Sequence, residues 1–217
     1  KILMLDIESE FEGYKEKLWE IKREIPDGMN CGAIVMNCNP FTNGHLYLIE
    51  RARKLIDFLI VFVVEEDKSF FSFQKRLEMV KAACEPFDNV LVLSMGKLVL
   101  SSYTMPEYFK KDELQNILID PAKDVEIFAT FVAPELNITK RFVGEEPFDT
   151  VTRQYNECMK ERFPQYGIEL VELPRLIQDG GVISATVVRR LIKENNIEQI
   201  RRLVPQTTFA IIKEMMV

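Results

Sequence analysis

The chain has 217 residues, and its 28 Lys and Arg against 34 Asp and Glu give a formal net charge of −6. This acidic balance argues against a nucleic-acid partner, because phosphate backbones are bound by clustered Lys and Arg. Hydrophobic residues make up 47% and charged residues 29%, which is typical of a packed globular domain. The longest apolar run, residues 58–64, is far shorter than the roughly 20 residues that span a bilayer, so no membrane partner is expected.

Cysteine and histidine are scarce in this sequence. The cysteines are Cys31, Cys38, Cys84 and Cys158, and His45 is the single histidine. No two cysteines form a Cys-x-x-Cys pair, so we expect no metal site of the Cys and His kind. Separated cysteines indicate free thiols in a reducing compartment, which predicts a cytoplasmic location. The chain starts at Lys1 without a signal-peptide pattern, and we expect it to be a trimmed fragment.

The first predicted element is a helix. Residues 8–25 carry apolar side chains at helical spacing, and Pro26 with Gly28 ends the pattern. We interpret residues 1–28 as a linker helix that leads into a single domain at residues 29–217.

Strand-like and helix-like segments alternate through that domain. The short, nearly continuous apolar runs that are typical of strands buried on both faces are residues 33–36, 58–64, 90–93, 141–143 and 168–173. Helical spacing occurs between them in residues 44–56, 73–84 and 149–162. This alternation predicts an α/β fold, a Rossmann-like open parallel sheet with helices on both faces. Ligands of such sheets bind beyond the carboxyl ends of the strands, so we expect functional residues in the loops after the first four strands.

Two regions do not follow the alternation. Residues 97–137 fit it least well, and they form either a substrate or partner surface or packed helices without a special role. Residues 184–192, 197–204 and 207–216 predict a C-terminal helical extension that covers one sheet edge.

The loop after the first strand leads into a helix, and its residues suit an anion. A helix start presents unpaired backbone N–H groups and the positive end of the helix dipole. Thr42 can cap this helix, Gly44 leaves room for a phosphate, and His45 can donate a hydrogen bond to a phosphate oxygen. A capping Thr, a turn Gly and a surface His without a ligand would fit the same short motif.

A second helix start lies near the C-terminus and carries similar groups. Ser184 is a predicted N-cap, Thr186 lies in the first turn, and Arg189 can fork onto phosphate oxygens. These groups suit the far end of a nucleoside triphosphate. A well-capped helix with a solvated arginine is the alternative for this motif taken alone.

Together the two motifs resemble those of a known superfamily. Thr42-Asn43-Gly44-His45 and Ile183-Ser184-Ala185-Thr186-Val187-Val188-Arg189 are similar to the paired (H/T)-x-G-H and I-S-x-T-x-x-R signatures of the nucleotidyltransferases. Within that superfamily the chain resembles citrate lyase ligase from about residue 32 to 208. The blocks that carry the resemblance are residues 32–42, 62–71, 141–148 and 151–156. The resemblance implies a fold of the nucleotidyltransferase, or HUP, type.

The resemblance also implies an activity. It is that of an ATP-dependent ligase that adenylates acetate and delivers the acetyl group to the prosthetic-group thiol of the citrate lyase acyl carrier subunit, releasing AMP and pyrophosphate. Acetate and that subunit would be the partners, ATP and Mg²⁺ the cofactors, and residues 29–217 the catalytic domain. Full members of the family carry an upstream domain that resembles acetyltransferases, and we expect this chain not to include it.

The family pattern assigns roles to residues of this chain. Thr42 and His45 would hold the α- and β-phosphates, and Ser184, Thr186 and Arg189 the β- and γ-phosphates. The catalytic residues would be His45, Thr42, Lys68 and Arg189. The residues that bind the nucleotide would be Asn37, Asn39, Pro40, Phe41, Gly44, Arg76, Gly144, Glu145, Ser184 and Thr186.

Some of these assignments have a plain alternative. Lys68 would neutralise acetate or the α-phosphate, or it is a solvated loop lysine. Arg76 would lie near the nucleotide, or it is a surface arginine. Gly144 and Glu145 would hold adenine and ribose through backbone groups, and the aromatic stretch at residues 103–109 would form the acyl pocket.

Two other functions are compatible with the motifs. A phosphopantetheine- or mononucleotide-type adenylyltransferase is the alternative enzyme. The phosphopantetheine enzymes, however, carry Asp where this chain has Asn39, and that departure favours the ligase. A nucleotide-binding regulatory module that has lost turnover is the remaining alternative.

Overall fold

The computed structural model describes residues 2–65, 69–94, 96, 120–147, 149–178 and 181–216, with side chains from residue 12 onward. The helices in this part of the chain are α1 (Ile2–Glu24), α2 (Asn43–Ala52), α3 (Phe73–Cys84), α4 (Ala122–Ile127), α5 (Thr150–Arg162), α6 (Ala185–Lys193), α7 (Ile197–Leu203) and α8 (Gln206–Met215). The strands are β1 (Cys31–Met36), β2 (Phe58–Val63), β3 (Val90–Ser94), β4 (Ile138–Gly144), β5 (Glu169–Leu173), β6 (Ile177–Gln178) and β7 (Gly181–Val182).

Strands β1 to β5 form one parallel sheet in the order β3-β2-β1-β4-β5. This confirms the predicted Rossmann-like open sheet. The chain moves outward from β1 to β3, then returns to place β4 on the other side of β1. Because the strand order reverses there, a crevice opens beyond the carboxyl ends of β1 and β4.

Both faces of the sheet are buried, as the continuous apolar runs predict. In β2 all six side chains are buried, and successive residues point to opposite faces. Ile60 and Phe62 belong to one core cluster, and Leu59 and Val61 to the other. Each such side chain stabilises the fold by roughly 1.5–3 kcal/mol through burial.

The first core cluster joins the sheet to α1, α4 and α5. The predicted N-terminal helix is present, and its Tyr14, Leu18 and Ile21 pack into this cluster. Residues 122–132, within the segment that fits the alternation least well, form α4 and a π-helical turn, Phe128–Val132, that also packs there. Residues 97–119 lie outside the described residues.

The second core cluster joins the opposite face to α2, α3 and the C-terminal helices. The predicted helical extension is confirmed as α6, α7 and α8. Val188, Ile200 and Ile211 of these helices belong to this cluster, and α8 packs against α3. That the extension covers a sheet edge stays a prediction.

Two properties of the described residues bear on location and redox state. None of their helices has both the length and the apolar character that crossing a bilayer requires. The cysteines are free thiols, with Cys31, Cys38 and Cys84 buried and Cys158 half-buried.

Gly32 in β1 has no space for a side chain, which generates a stability prediction. A Cβ there would lie 2.5 Å from Cε2 of the fully buried Phe142 and 3.2 Å from Cγ2 of Ile56. We expect Gly32→Ala to lower the free energy of unfolding by about 1–3 kcal/mol through overpacking. Urea denaturation, with an unchanged slope, measures this loss.

Gly13→Ala is the matched control, since a Cβ on this exposed helical residue meets no atom within 4 Å. It should raise stability by up to about 1 kcal/mol, as Ala favours helices. Equal midpoints for Gly32→Ala and the unmodified chain would contradict the packing argument.

Candidate functional site

A cavity of about 760 Å³ opens in the crevice beyond β1 and β4. The predicted residues that line it are Asn37, Asn39, Thr42, Gly44, His45, Gly144, Ser184, Thr186 and Arg189. The start of α2 and the start of α6 therefore face the same space, although their motifs are separated by about 140 positions in the sequence. This is the convergence that a single polyphosphate would need.

The start of α2 is closed by a reciprocal cap. The backbone N–H of His45 donates to Thr42 Oγ1 at 3.4 Å, and the backbone N–H of Thr42 donates to His45 Nδ1 at 3.0 Å. Since Nδ1 accepts a hydrogen bond, the neutral ring carries its proton on Nε2. The cap thus leaves an N–H donor on the ring of a residue that lines the cavity.

The protonation of His45 is set by its surroundings. Burial, and to a smaller extent the positive charge of Arg175, lower the pKa of the ring from 6.5 to about 4. Phe41, which is fully buried, stacks on the ring with 5.6 Å between centroids. The ring is therefore neutral at pH 7 and acts as a hydrogen-bond donor, not as a cation.

The start of α6 contributes hydroxyl groups and a positioned guanidinium. Ser184 caps the helix, its Oγ accepting from the backbone N–H of Thr186 at 3.2 Å. Arg189 donates from Nη2 to Thr186 Oγ1 at 3.0 Å and from Nη1 to the Asn39 carbonyl oxygen at 2.7 Å. This last bond connects α6 to the loop after β1, so the two motifs are physically joined.

Gly44 lies next to the backbone that leads into α6. A Cβ on Gly44 would lie 3.6 Å from the carbonyl oxygen of Ile183, which is an ordinary van der Waals distance. The contact therefore has room for a methyl group and does not by itself require glycine.

Arg76 has a different environment from either expectation. It is fully buried, which excludes a surface arginine. Its Nη1 donates to the carbonyl oxygens of Asn37 at 2.7 Å and Val64 at 2.8 Å, and its Nε donates to that of Phe71 at 3.2 Å. Arg76 is not among the described residues of the cavity wall. It holds together the loops that follow β1 and β2, and its contact with a nucleotide stays a prediction.

The remaining predicted residues take several positions. Asn39 accepts from the backbone N–H of Phe71 through Oδ1 at 3.0 Å, and Pro40 is buried beside it. Glu145 is exposed and is not part of the described cavity lining, whereas the neighbouring Gly144 is. Lys68 and the aromatic stretch at residues 103–109 lie outside the described residues.

The sequence interpretation missed one wall of the cavity. Arg175, in the loop after β5, lines it and forms an ion pair with Glu146 from the loop after β4. Asp149, Tyr155 and Asn156 of the α5 region also line it. The rule that ligands bind beyond the carboxyl ends of parallel strands could have identified this loop. It applies to β5 as it does to the first four strands.

The cavity carboxylates are already engaged. Glu146 pairs with Arg175, and Asp149 caps α5 by accepting from the backbone N–H groups of Val151 at 2.9 Å and Thr152 at 3.1 Å. Within the residues that the structure describes, no group of three or more His, Cys, Asp or Glu side chains could hold a metal ion.

The neutral state of His45 generates a prediction that needs no ligand. Because His45 is the single histidine, its ring signals in NMR spectra are assigned without mutagenesis. We expect them to titrate at about pH 4 in the folded protein and near pH 6.5 in urea. A folded-state titration near pH 6.5 would contradict the desolvation of the ring and the influence of the Arg175 charge on it.

The same shift predicts the pH dependence of stability. The unfolded chain takes up a proton at His45 as the pH falls below 6.5, whereas the folded chain does so only near pH 4. The stability that the neutral ring contributes is complete above pH 6.5, and it is lost as the pH falls from 6.5 to about 4.

The chain is similar to proteins of known families. The family model for the citrate lyase ligase C-terminal domain matches residues 31–212. The citrate (pro-3S)-lyase ligase of Klebsiella pneumoniae is 37% identical over 214 residues, 94% of this chain. The chain spans 62% of the length of that relative. A phosphopantetheine adenylyltransferase of Finegoldia magna is 24% identical over 180 residues, 81% of this chain and 90% of that enzyme.

The fold is shared with solved structures. A bifunctional NMN adenylyltransferase/ADP ribose pyrophosphatase of Francisella tularensis, complexed with AMP and a manganese ion, matches with a TM-score of 0.53 at 17% identity. The match covers 87% of this chain and 49% of that one, and it confirms the nucleotidyltransferase type of fold. Since the family match covers most of the chain and the Klebsiella relative is 37% identical, the chain belongs to the citrate lyase ligase family.

Proposed function

We propose that this chain is the catalytic domain of an ATP-dependent ligase that adenylates acetate. The acetyl group then passes to the prosthetic-group thiol of the citrate lyase acyl carrier subunit, with release of AMP and pyrophosphate. The observation that carries the proposal is the single cavity shared by the starts of α2 and α6 in a member of this family. Neither motif alone would distinguish an ATP site from an ordinary capped helix.

The triphosphate would lie across the two helix starts. His45 would donate from Nε2 to the α- or β-phosphate, with Thr42 holding the ring in that orientation. Ser184, Thr186 and Arg189 would bind the β- and γ-phosphates that leave as pyrophosphate. Mg²⁺ would arrive with the triphosphate, because it prefers phosphate oxygens and water to an all-protein cage.

The chemistry needs no nucleophile from the protein. An acetate oxygen would attack the α-phosphorus, the bond to the pyrophosphate oxygen would break, and acetyl-AMP would form. The carrier thiolate would then attack the acetyl carbon and displace AMP. Catalysis of the first step is mostly positioning and charge stabilisation. Cys38 fits this scheme, because burial raises the pKa of its thiol well above its usual range and keeps it a poor nucleophile.

The first half-reaction provides the direct test. We expect the protein to catalyse exchange of labelled pyrophosphate into ATP only when acetate is present, because the carboxylate supplies the attacking oxygen. Phosphopantetheine and nicotinamide mononucleotide in place of acetate are the controls. A dinucleotide-type product with either would favour an adenylyltransferase, and ATP binding without any product would favour a regulatory module.

Arg189→Lys tests the second helix start. Lysine keeps the charge but loses the fork that bonds Asn39 and Thr186 and would engage the leaving phosphates. We expect a fall of about a hundredfold in the acetate-dependent exchange rate.

Arg190→Lys is the matched control for that variant. Arg190 is the next residue on α6, with an exposed side chain that pairs with Glu194 at 3.8 Å. Its exchange rate should stay within about twofold of the unmodified chain, since surface ion pairs contribute little. Similar rates for the two variants would remove the proposed role of Arg189.

A further inference from the structure

The loop after β5 brings a second guanidinium into the cavity. Arg175 lines the cavity together with Pro174 and Leu176, and its side chain is 31% exposed. The residue lies outside both sequence motifs. Its position follows from the sheet, because β5 runs parallel to β4 and ends at the same edge.

The partner of Arg175 is held more firmly than Arg175 itself. Glu146 bonds Nη2 of Arg175 through Oε2, and its Oε1 accepts from the backbone N–H of Asp149 at 3.1 Å. The Glu146 side chain is 9% exposed. The carboxylate is therefore anchored to the start of α5, while Arg175 is the more exposed of the two and lines the cavity.

The guanidinium also lies within electrostatic reach of the first motif. The charge of Arg175 acts on the His45 ring, as its contribution to the lowered pKa of that ring indicates. His45 and Arg175 line the same cavity. A phosphate bound by His45 Nε2 would thus meet a second positive group from the loop after β5.

Charge balance explains why such an arginine would be paired before substrate binds. Arg189 lines the same cavity, and like charges in one cavity repel each other. Glu146 neutralises the charge of Arg175. A guanidinium has N–H donors on Nε and Nη1 as well as Nη2, so it can contact a phosphate while it keeps a bond to a carboxylate.

We propose that Arg175 is an additional phosphate-binding residue of this cavity, contacting the polyphosphate beside His45, and that Glu146 is its positioning residue. The inference rests on the proposed function only in taking ATP as the ligand. Arg175 would stabilise the negative charge that develops as pyrophosphate leaves. Glu146 would orient the guanidinium without touching the nucleotide.

Calorimetric ATP titration of the protein, with Mg²⁺ and without acetate, tests this directly. Arg175→Gln should weaken ATP binding by tenfold or more. Arg190→Gln is the matched control, because it removes the same charge from the surface of α6, and it should change the affinity less than twofold. Equal affinities for these two variants would overturn the proposal.

The double variant Arg175→Gln with Glu146→Gln separates phosphate binding from a purely structural ion pair. It leaves no unpaired buried charge, so it should fold even where a single variant does not. If Arg175 binds phosphate, the double variant stays at least tenfold weaker than the unmodified chain. If Arg175 serves only to neutralise Glu146, the double variant recovers normal affinity, and the proposal is wrong.

The NMR titration of His45 in Glu146→Gln and in Arg175→Gln tests the electrostatic arrangement of this ion pair. Glu146→Gln should lower the titration point of His45 further, and Arg175→Gln should raise it, because the first frees and the second removes a positive charge near the ring. An unchanged His45 titration point in both variants would refute the proposed arrangement of Arg175 and Glu146. Acetate-dependent exchange by the unmodified chain is scored separately, so a failure of the ligase function leaves the ATP-affinity result intact.

Discussion

The hydrogen bond from Arg189 Nη1 to the carbonyl oxygen of Asn39, at 2.7 Å, joins two parts of the chain that are 150 positions apart. It holds the start of α6 against the loop after β1, where the backbone of Ile183 approaches Gly44. The parallel sheet places both segments at one edge, but the sheet alone does not fix the distance between them. This contact joins two segments of the wall of the cavity that a polyphosphate would occupy.

Arg76 holds together the loops that follow β1 and β2. Burying a guanidinium is costly unless its N–H groups are bonded, and here carbonyl oxygens from the ends of β1 and β2 and from the residue before the α3 cap supply those bonds. The loop after β1 is therefore ordered before any ligand arrives. Sites that stabilise developing charge depend on donors already in place, since reorganising them would cost part of the stabilisation.

The electrostatics of the cavity differ from those of the whole chain. The chain carries a net charge of −6, yet the described cavity wall includes Arg141, Arg175 and Arg189. The same wall holds the carboxylates Glu146 and Asp149, so its arginines exceed its carboxylates by one. His45 is neutral at pH 7 because desolvation and the charge of Arg175 lower its pKa. The crevice thus carries a small positive excess in an acidic protein, which favours an anionic ligand there.

Local signals were sufficient for the elements and their caps. Alternating apolar runs predicted the parallel sheet, because strands buried on both faces must be apolar throughout, and Thr42 and Ser184 were identified as caps because a helix start needs a nearby oxygen. The resemblance to the family also predicted that both motifs bind one ligand. Sequence reasoning could not orient Arg76 inward, add Arg175 to the cavity or pack α8 against α3. Those outcomes depend on contacts between loops and faces that are distant along the chain, and only packing in three dimensions decides them.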